Sequence, residues 1–320
     1  MGTTLGMDPA RQLVIVADDF GIGPATSRGI LDLAERGHIT ATVLLVNSPH
    51  AEESVLQWHR VGGPALVELG WHPCLTLDRP LLPPCRVPSL VRADGSFLSL
   101  GQLLCRLLTG RVAEPQVRAE LRAQYDRFRQ MTGRPPRVVN GHHHIHVLPG
   151  ITRSLIDVLS QQHSSPYVRR VVETVAMLRA EDRARGKRLF LATLGRRSTP
   201  ALSNAGFPGN DVLVGITDPH GLAWPNEEKA GERLCRWLRA APGTVVELMC
   251  HPGRHDKAAR RCDEPSPLSG LVVQCGPEVR VRELELLATS SLTDQLEQCG
   301  FRRLGPRDLF AGLRAERQAA

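Results

Sequence analysis

The sequence predicts a single α/β domain with parallel strands, barrel-like and irregular, and three observations carry that expectation. Short apolar runs alternate with helical stretches from residue 13 to about 300, the pattern that parallel strands and their crossovers require. Most of those runs end in Asp, His, Asn or Arg, where barrels collect their chemistry. No internal repeat or linker divides the 320 residues, a length normal for an α/β barrel. Residues 1–10 are expected to form a disordered extension, and the domain to span 11–315.

Composition excludes several classes. With 42% apolar and 23% charged residues, the chain can bury a sizeable core. No apolar run approaches the ~20 residues of a bilayer span. Met1–Ala10 has neither a secretory pattern nor a myristoylation pattern, so a cytoplasmic protein with no membrane partner is expected. The formal charge of +7 invites nucleic-acid binding. However, the basic residues are dispersed, only positions 187, 229 and 257 are lysines, and aromatics are 4%; no nucleic-acid partner is expected. Eight cysteines without a Cys-x-x-Cys pair argue against a zinc ribbon and for free thiols, mostly buried.

Leu13–Ala17 is an apolar run of the kind that forms a fully buried strand, and Asp18-Asp19-Phe20-Gly21 follows it. Two carboxylates there are costly unless each is paired or binds a cation. Pro24 opens a helix carrying Ile30, Leu31 and Leu33 and ending near Gly37. Thr42–Val46 reads as a second strand, followed by a helix over 51–60. Ala65–Leu69 reads as a third, running into Gly70-Trp71-His72-Pro73-Cys74-Leu75-Thr76. Residues 78–97 are proline-rich and aperiodic, a long loop of the sort that covers a site. Helices follow over 100–110 and 115–132, where Val117, Leu121, Tyr125 and Phe128 form a core stripe.

A short strand over 137–139 then leads into Asn140-Gly141-His142-His143-His144-Ile145-His146, four histidines in five positions. In extended geometry His142, His144 and His146 would share one side and His143 the other. Three convergent imidazoles suit a divalent metal or a proton relay. A helix over 149–162 and a strand over 167–172, carrying Arg169-Arg170, come next. The stretch 173–209 predicts a helix over 174–185 and a short strand over 189–192. Residues 212–215 read as a strand, 226–240 as a helix, and 244–250 as a strong strand ending in His251-Pro252-Gly253, with Glu247, Met249 and His251 on one face. A second long loop over 254–279 precedes helices at 281–288 and 291–298.

Four strand ends thus carry Asp18/Asp19, His72, the histidine cluster and Glu247/His251. One carboxylate with two imidazoles forms a divalent-metal site with positions open to water, as amide or ester hydrolysis requires. Asp18 would be the general base on that water, and a histidine across the pocket the proton donor.

Asp18-Asp19-Phe20-Gly21, Gly70-x-His72, the Gly-His-x-His-x-His run at 141–146 and Glu247-x-Met249-x-His251-Pro252-Gly253 resemble the YdjC-like carbohydrate deacetylase family, in order and spacing. The resemblance covers residues 13 to about 300. It implies a deformed (β/α) TIM-like barrel that removes acetyl groups from N-acetylated sugars such as chitooligosaccharides, with one divalent metal, usually magnesium; the donor set suits zinc as well. It also implies metal ligands at Asp19, His72 and His142, a base at Asp18 and a proton donor or transition-state stabiliser at His251. His144, His146, Arg169 and Glu247 would line the substrate pocket or support the ligands. Two departures stand out: Trp71-His72-Pro73-Cys74 where the family commonly reads Leu-His-Leu-Asn, and Asn140 where it commonly has aspartate. The alternatives are a catalytically inactive sugar- or partner-binding barrel and a metal-dependent phosphoesterase. A homodimer is the default assembly.

Overall fold

Eight strands lie in one sheet in the order β5-β4-β3-β2-β1-β7-β6, with β8 also paired to β1. These are β1 (Arg11–Phe20), β2 (Ala41–Leu44), β3 (Glu68–Trp71), β4 (Val138–Val139), β5 (Tyr167–Val168), β6 (Val212–Val214), β7 (Val245–Cys250) and β8 (Phe301–Arg303). Every ladder is parallel. The helices between them are α1 (Pro24–Glu35), α2 (Ala51–Arg60), α3 (Leu100–Leu108), α4 (Glu114–Thr132), α5 (Pro149–Ser160), α6 (Val175–Ala180), α7 (Arg185–Asn204), α8 (Glu227–Ala240), α9 (Pro277–Ala288) and α10 (Ser290–Gln298). The protein is described from a computed structural model covering 11–308, apart from 64–66, 163–164, 182, 218–220, 223–226, 257–275 and 307. The proposed extension 1–10 and the domain end at 315 lie outside these residues.

Among the described residues no ladder joins β5 to β6. Two backbone bonds cross the seam among the described residues, Val168 N–H to Pro208 O (2.8 Å) and Leu213 N–H to Val172 O (2.9 Å), and the Asn210 amide bridges it to the Arg170 backbone. The result is the expected deformed TIM-like barrel, with parallel strands and a weak seam.

Strand alternation sorts the core into two layers. Leu13, Ile15 and Ala17 of β1 pack outward with the helices in the large apolar cluster. Val14 and Val16 face inward against Ala41, Val43, Val138 and Tyr167. Asp18 continues that inward parity. Val14 pairs in register with Glu247 of β7, which therefore lies on the same inner side. The barrel is apolar at its floor and charged toward the carboxyl ends of its strands.

Several expected elements differ. Residues 189–192 are not a strand but part of α7; Leu191 and Ala192 are buried while Leu189 and Phe190 are exposed. An apolar run of four fits a helix as well as a strand, and period alone does not separate them. β8 was unforeseen because Phe-Arg-Arg carries no apolar run; it is held by pairing with Arg11–Leu13. Loop 78–97 contains a 3-10 turn at Pro84–Arg86 and a bridge from Val91 to Phe97. Of the second loop, 257–275 lie outside the described residues, and α9 opens at Pro277 rather than at 281. Of the six described cysteines three are buried, so the thiols are less uniformly interior than expected.

Candidate active site at the carboxyl ends of the strands

Two neighbouring residues of a regular strand point to opposite faces, yet Asp18 and Asp19 both enter the same site. The backbone explains this. Asp19 has φ 67°, in the left-handed region, and the register of β1 with β2 shifts between Ala17 and Phe20. This is a bulge that re-aims one side chain; Asp is among the residues that tolerate this conformation. Both carboxylates are buried.

The histidine run does not stay extended. Residues 142–147 form a 3-10 turn in which His143 (φ 53°) and His144 (φ 56°) are left-handed. The alternation read from an extended chain is therefore overturned, and the four imidazoles separate. His142 Nδ1 lies 3.0 Å from Asp19 Oδ1, and His72 Nε2 lies 3.3 Å from the same oxygen. His143 packs its ring 4.0 Å from that of His142 and meets Thr76 Oγ1 at 2.9 Å. His144 lies half-buried, its ring 6.2 Å from that of His146 and its Nδ1 enclosed without a hydrogen-bond partner. His146 accepts from Gly141 N–H at Nδ1 (2.9 Å) and lies 3.1 Å from the Arg169 carbonyl at Nε2. With both nitrogens engaged, it holds the chain in place rather than reaching a ligand.

Asp19, His72 and His142 offer three ligand atoms within 4.8 Å of one another, all buried. Arg280 of α9 holds Asp19 Oδ2 at 2.6 Å, leaving Oδ1 toward the imidazoles. His142 Nε2 is buried with no hydrogen-bond partner. One carboxylate oxygen and two imidazoles within this spacing fit a borderline divalent ion.

Beside this group lies a closed charge network. Arg169 is fully buried and donates to both oxygens of Asp18, at 2.6 and 2.8 Å, and from Nε to Glu247. Tyr167 O–H donates to Glu247 Oε2 at 2.7 Å. Arg170 points away: its N–H meets Asn210 Oδ1 (2.7 Å) and its guanidinium the Phe207 carbonyl (3.2 Å). Of this adjacent pair it is Arg169 that meets Asp18. His251 Nε2 stands 4.0 Å from Asp18 Oδ2, with its backbone N–H held by Glu283 Oε2 at 2.6 Å.

Burial pushes the Asp18 carboxyl up, but Arg169, His72 and His251 outweigh it and hold it below the usual range. The same contest, with Arg280 and His142 as the main opposing partners, leaves Asp19 well below. Glu247 stays raised, because burial exceeds what Arg169 and Tyr167 return. Burial lowers His143 and His144 well below the ordinary imidazole value. It lowers His146 to about 3 and His251 to about 4, so these rings are neutral near pH 7.

At the departures 73 and 74 the neighbouring segments meet backbone atoms, which the change of side chain leaves in place. The Pro73 carbonyl accepts from His142 N–H at 2.9 Å, tying the two imidazole-bearing segments together. Gln124 of α4 reads only the backbone of Cys74, accepting its N–H (3.0 Å) and donating to its carbonyl (2.7 Å).

A family model described as YdjC-like protein matches residues 12–298. The chain belongs to the YdjC-like family. A Mus musculus protein named carbohydrate deacetylase is 34% identical to this YdjC-like chain over 314 residues, 94% of the chain and 96% of its own length. A chitooligosaccharide deacetylase of Yersinia enterocolitica serotype O:8 is 30% identical over 301 residues, covering 91% of this chain and 96% of itself. Among solved structures, one from Enterococcus faecalis V583, whose description proposes cellobiose-phosphate cleavage, superposes with TM-score 0.70 at 22% identity. It covers 94% of this chain and 99% of its own, a likeness of fold.

Sequence reasoning missed Arg280, Glu283, Tyr167 and Thr76. Arg280 and Glu283 lie three residues apart on α9, about thirty residues past His251, where no strand-end signal points. Tyr167 was legible in principle: it is one of two tyrosines and sits two residues before Arg169, on the same strand face. No helix among the described residues is long and apolar enough to cross a membrane.

Proposed function

We propose that this YdjC-like chain is a metal-dependent hydrolase that removes acetyl groups from N-acetylated sugars, with chitooligosaccharide-type compounds as the substrate class. One observation carries the reading. A buried Asp/His/His group with atoms within 4.8 Å of one another adjoins a second carboxylate, Asp18, held ionised by Arg169. The names of the mouse and Yersinia relatives support the substrate class.

Asp19, His72 and His142 would hold the ion. When bound, a divalent metal there supplies Lewis-acid polarisation of the amide carbonyl and a water of lowered pKa. Asp18 takes the proton of the attacking water. Its depressed pKa keeps it ionised well into the acid range, and Arg169 fixes its plane. His251, neutral above about pH 4, acts as a hydrogen-bond donor toward the developing oxyanion and relays the proton taken by Asp18 to the leaving amine. Glu247 and Tyr167 keep Arg169 in place, and His146 holds its backbone. The half-buried ring of His143 packs against His142, and that of His144 lies 6.2 Å from the ring of His146.

The test is acetate release from diacetylchitobiose and related N-acetylated sugars with added magnesium or zinc, with Asp18→Asn run in parallel. Acetate from the natural chain and a loss of ~10²–10⁴-fold in the variant support the reading. No acetate from any sugar by a metal-loaded chain, with turnover of aryl phosphates instead, would replace it with the phosphoesterase reading.

A further inference from the structure

One side chain touches both the proposed base and a proposed metal ligand. Asn140, at the end of β4 and fully buried, places Nδ2 3.1 Å from Asp18 Oδ1 and Oδ1 against His72 Nδ1. The direction of this bridge is forced. The Asn140 backbone carbonyl also faces His72 Nδ1, at 2.7 Å, and a carbonyl can only accept. Nδ1 therefore carries the hydrogen, the amide must present its acceptor end to His72, and its N–H end is left for Asp18.

We propose that Asn140 is a positioning residue that couples base and ligand through the two ends of its amide, a task that an ionised aspartate at this position cannot perform. Toward His72, it helps hold the tautomer whose bare Nε2 faces Asp19 Oδ1 at 3.3 Å. Toward Asp18, it joins Arg169 Nη2 (2.8 Å) in giving Oδ1 two donors, whereas Oδ2 has one among the described residues, Arg169 Nη1 at 2.6 Å, and faces His251 at 4.0 Å. Oδ2, with the smaller number of donors, is the oxygen that receives the proton. An ionised carboxylate at 140 would still accept from His72 but has no hydrogen for Asp18. Asn140 is thus a different device from the aspartate that the family commonly carries.

The inference rests on the roles proposed above for Asp18 and His72, and its test separates the two. Zinc is titrated calorimetrically into the metal-free natural chain, Asn140→Ala and Asn140→Asp, and kcat and KM for acetate release are measured on the same proteins. Asn140→Ala should bind zinc ~10-fold more weakly, at the lower end of the usual range because the backbone carbonyl remains. It should also lose ~10–100-fold in kcat. Asn140→Asp should recover zinc affinity to the natural level or above, yet keep the low kcat with KM unchanged. Affinity and kcat within about twofold of the natural chain in the alanine variant would overturn the inference. So would an aspartate variant that recovers kcat or fails to recover zinc affinity. A natural chain that binds zinc but releases no acetate would overturn the proposed function instead, while the two zinc affinities still decide the His72 half of the bridge.

Discussion

Replacing Arg169 with methionine should expose how much of this fold depends on one buried cation. Arg169 is 0% exposed and is held by Asp18 through two bonds of 2.6 and 2.8 Å and by Glu247 through its Nε. Methionine keeps most of the volume and removes the charge, leaving two enclosed carboxylates with Tyr167 and Asn140 as their hydrogen-bond donors among the described residues. Breaking a buried pair costs ~3–5 kcal/mol, a large part of the ~5–15 kcal/mol that holds a typical domain together. The cost should depend on pH. With Arg169 gone, burial loses its strongest opponent at both carboxyls; His72 and His251 still act on Asp18 and Tyr167 on Glu247, and the balance should raise the folded pKa values above the unfolded ones near 4. A carboxyl raised in this way destabilises at high pH, and the penalty lifts as pH falls through its folded value. Urea unfolding of the metal-free variant at pH 7 should show a loss of ~3–5 kcal/mol, and at pH 5 a clearly smaller one. An unchanged midpoint at pH 7, or the same loss at both pH values, would refute the reasoning.

Asp19 behaves oppositely, since its folded pKa lies well below the ordinary value. Its stabilisation is fully present above the unfolded value of ~3.9 and is lost as pH falls toward the folded one, so Asp19→Asn in a chelator should flatten the acid limb of a stability–pH curve. Gly70→Ala should lower the urea midpoint by ~1–3 kcal/mol equivalent, because a Cβ there meets Val138 O at 2.3 Å and Val138 Cβ at 2.7 Å and forces β3 from β4. The donor set of two imidazoles and one carboxylate should bind zinc at least ~10-fold more tightly than magnesium by calorimetry. His72→Ala should weaken zinc binding by more than any change at Asn140, and equal losses would argue against His72 as a ligand.

The alternation of apolar runs with helices was enough to announce parallel strands, because βα crossovers leave that periodicity in the chain itself. The same physics revealed where chemistry would sit: Asp18, His72, His142 and His251 all lie near the carboxyl ends of their strands, where a buried polar residue is unexpected unless it is used. Helix α2 and strands β6 and β7 were legible for a related reason, each being bounded by residues that stop it. Shape inside the site was not legible. That Asp18 and Asp19 point the same way depends on a left-handed Asp19 and a bulge. That His142 separates from His144 and His146 depends on a 3-10 turn with two left-handed histidines. These conformations are uncommon in isolation and persist because burial and the surrounding hydrogen bonds over-determine them. Arg280 and Glu283 escaped notice because their partners, Asp19 and His251, are 261 and 32 residues away in the chain. The sequence by itself determined which strand ends would hold carboxylates and imidazoles, since local pattern sets strands and their termini. Only the tertiary structure decided which oxygen of Asp19 faces the histidines, which arginine meets Asp18 and which end of Asn140 meets His72, because those choices depend on contacts between segments that the chain does not bring together until it folds.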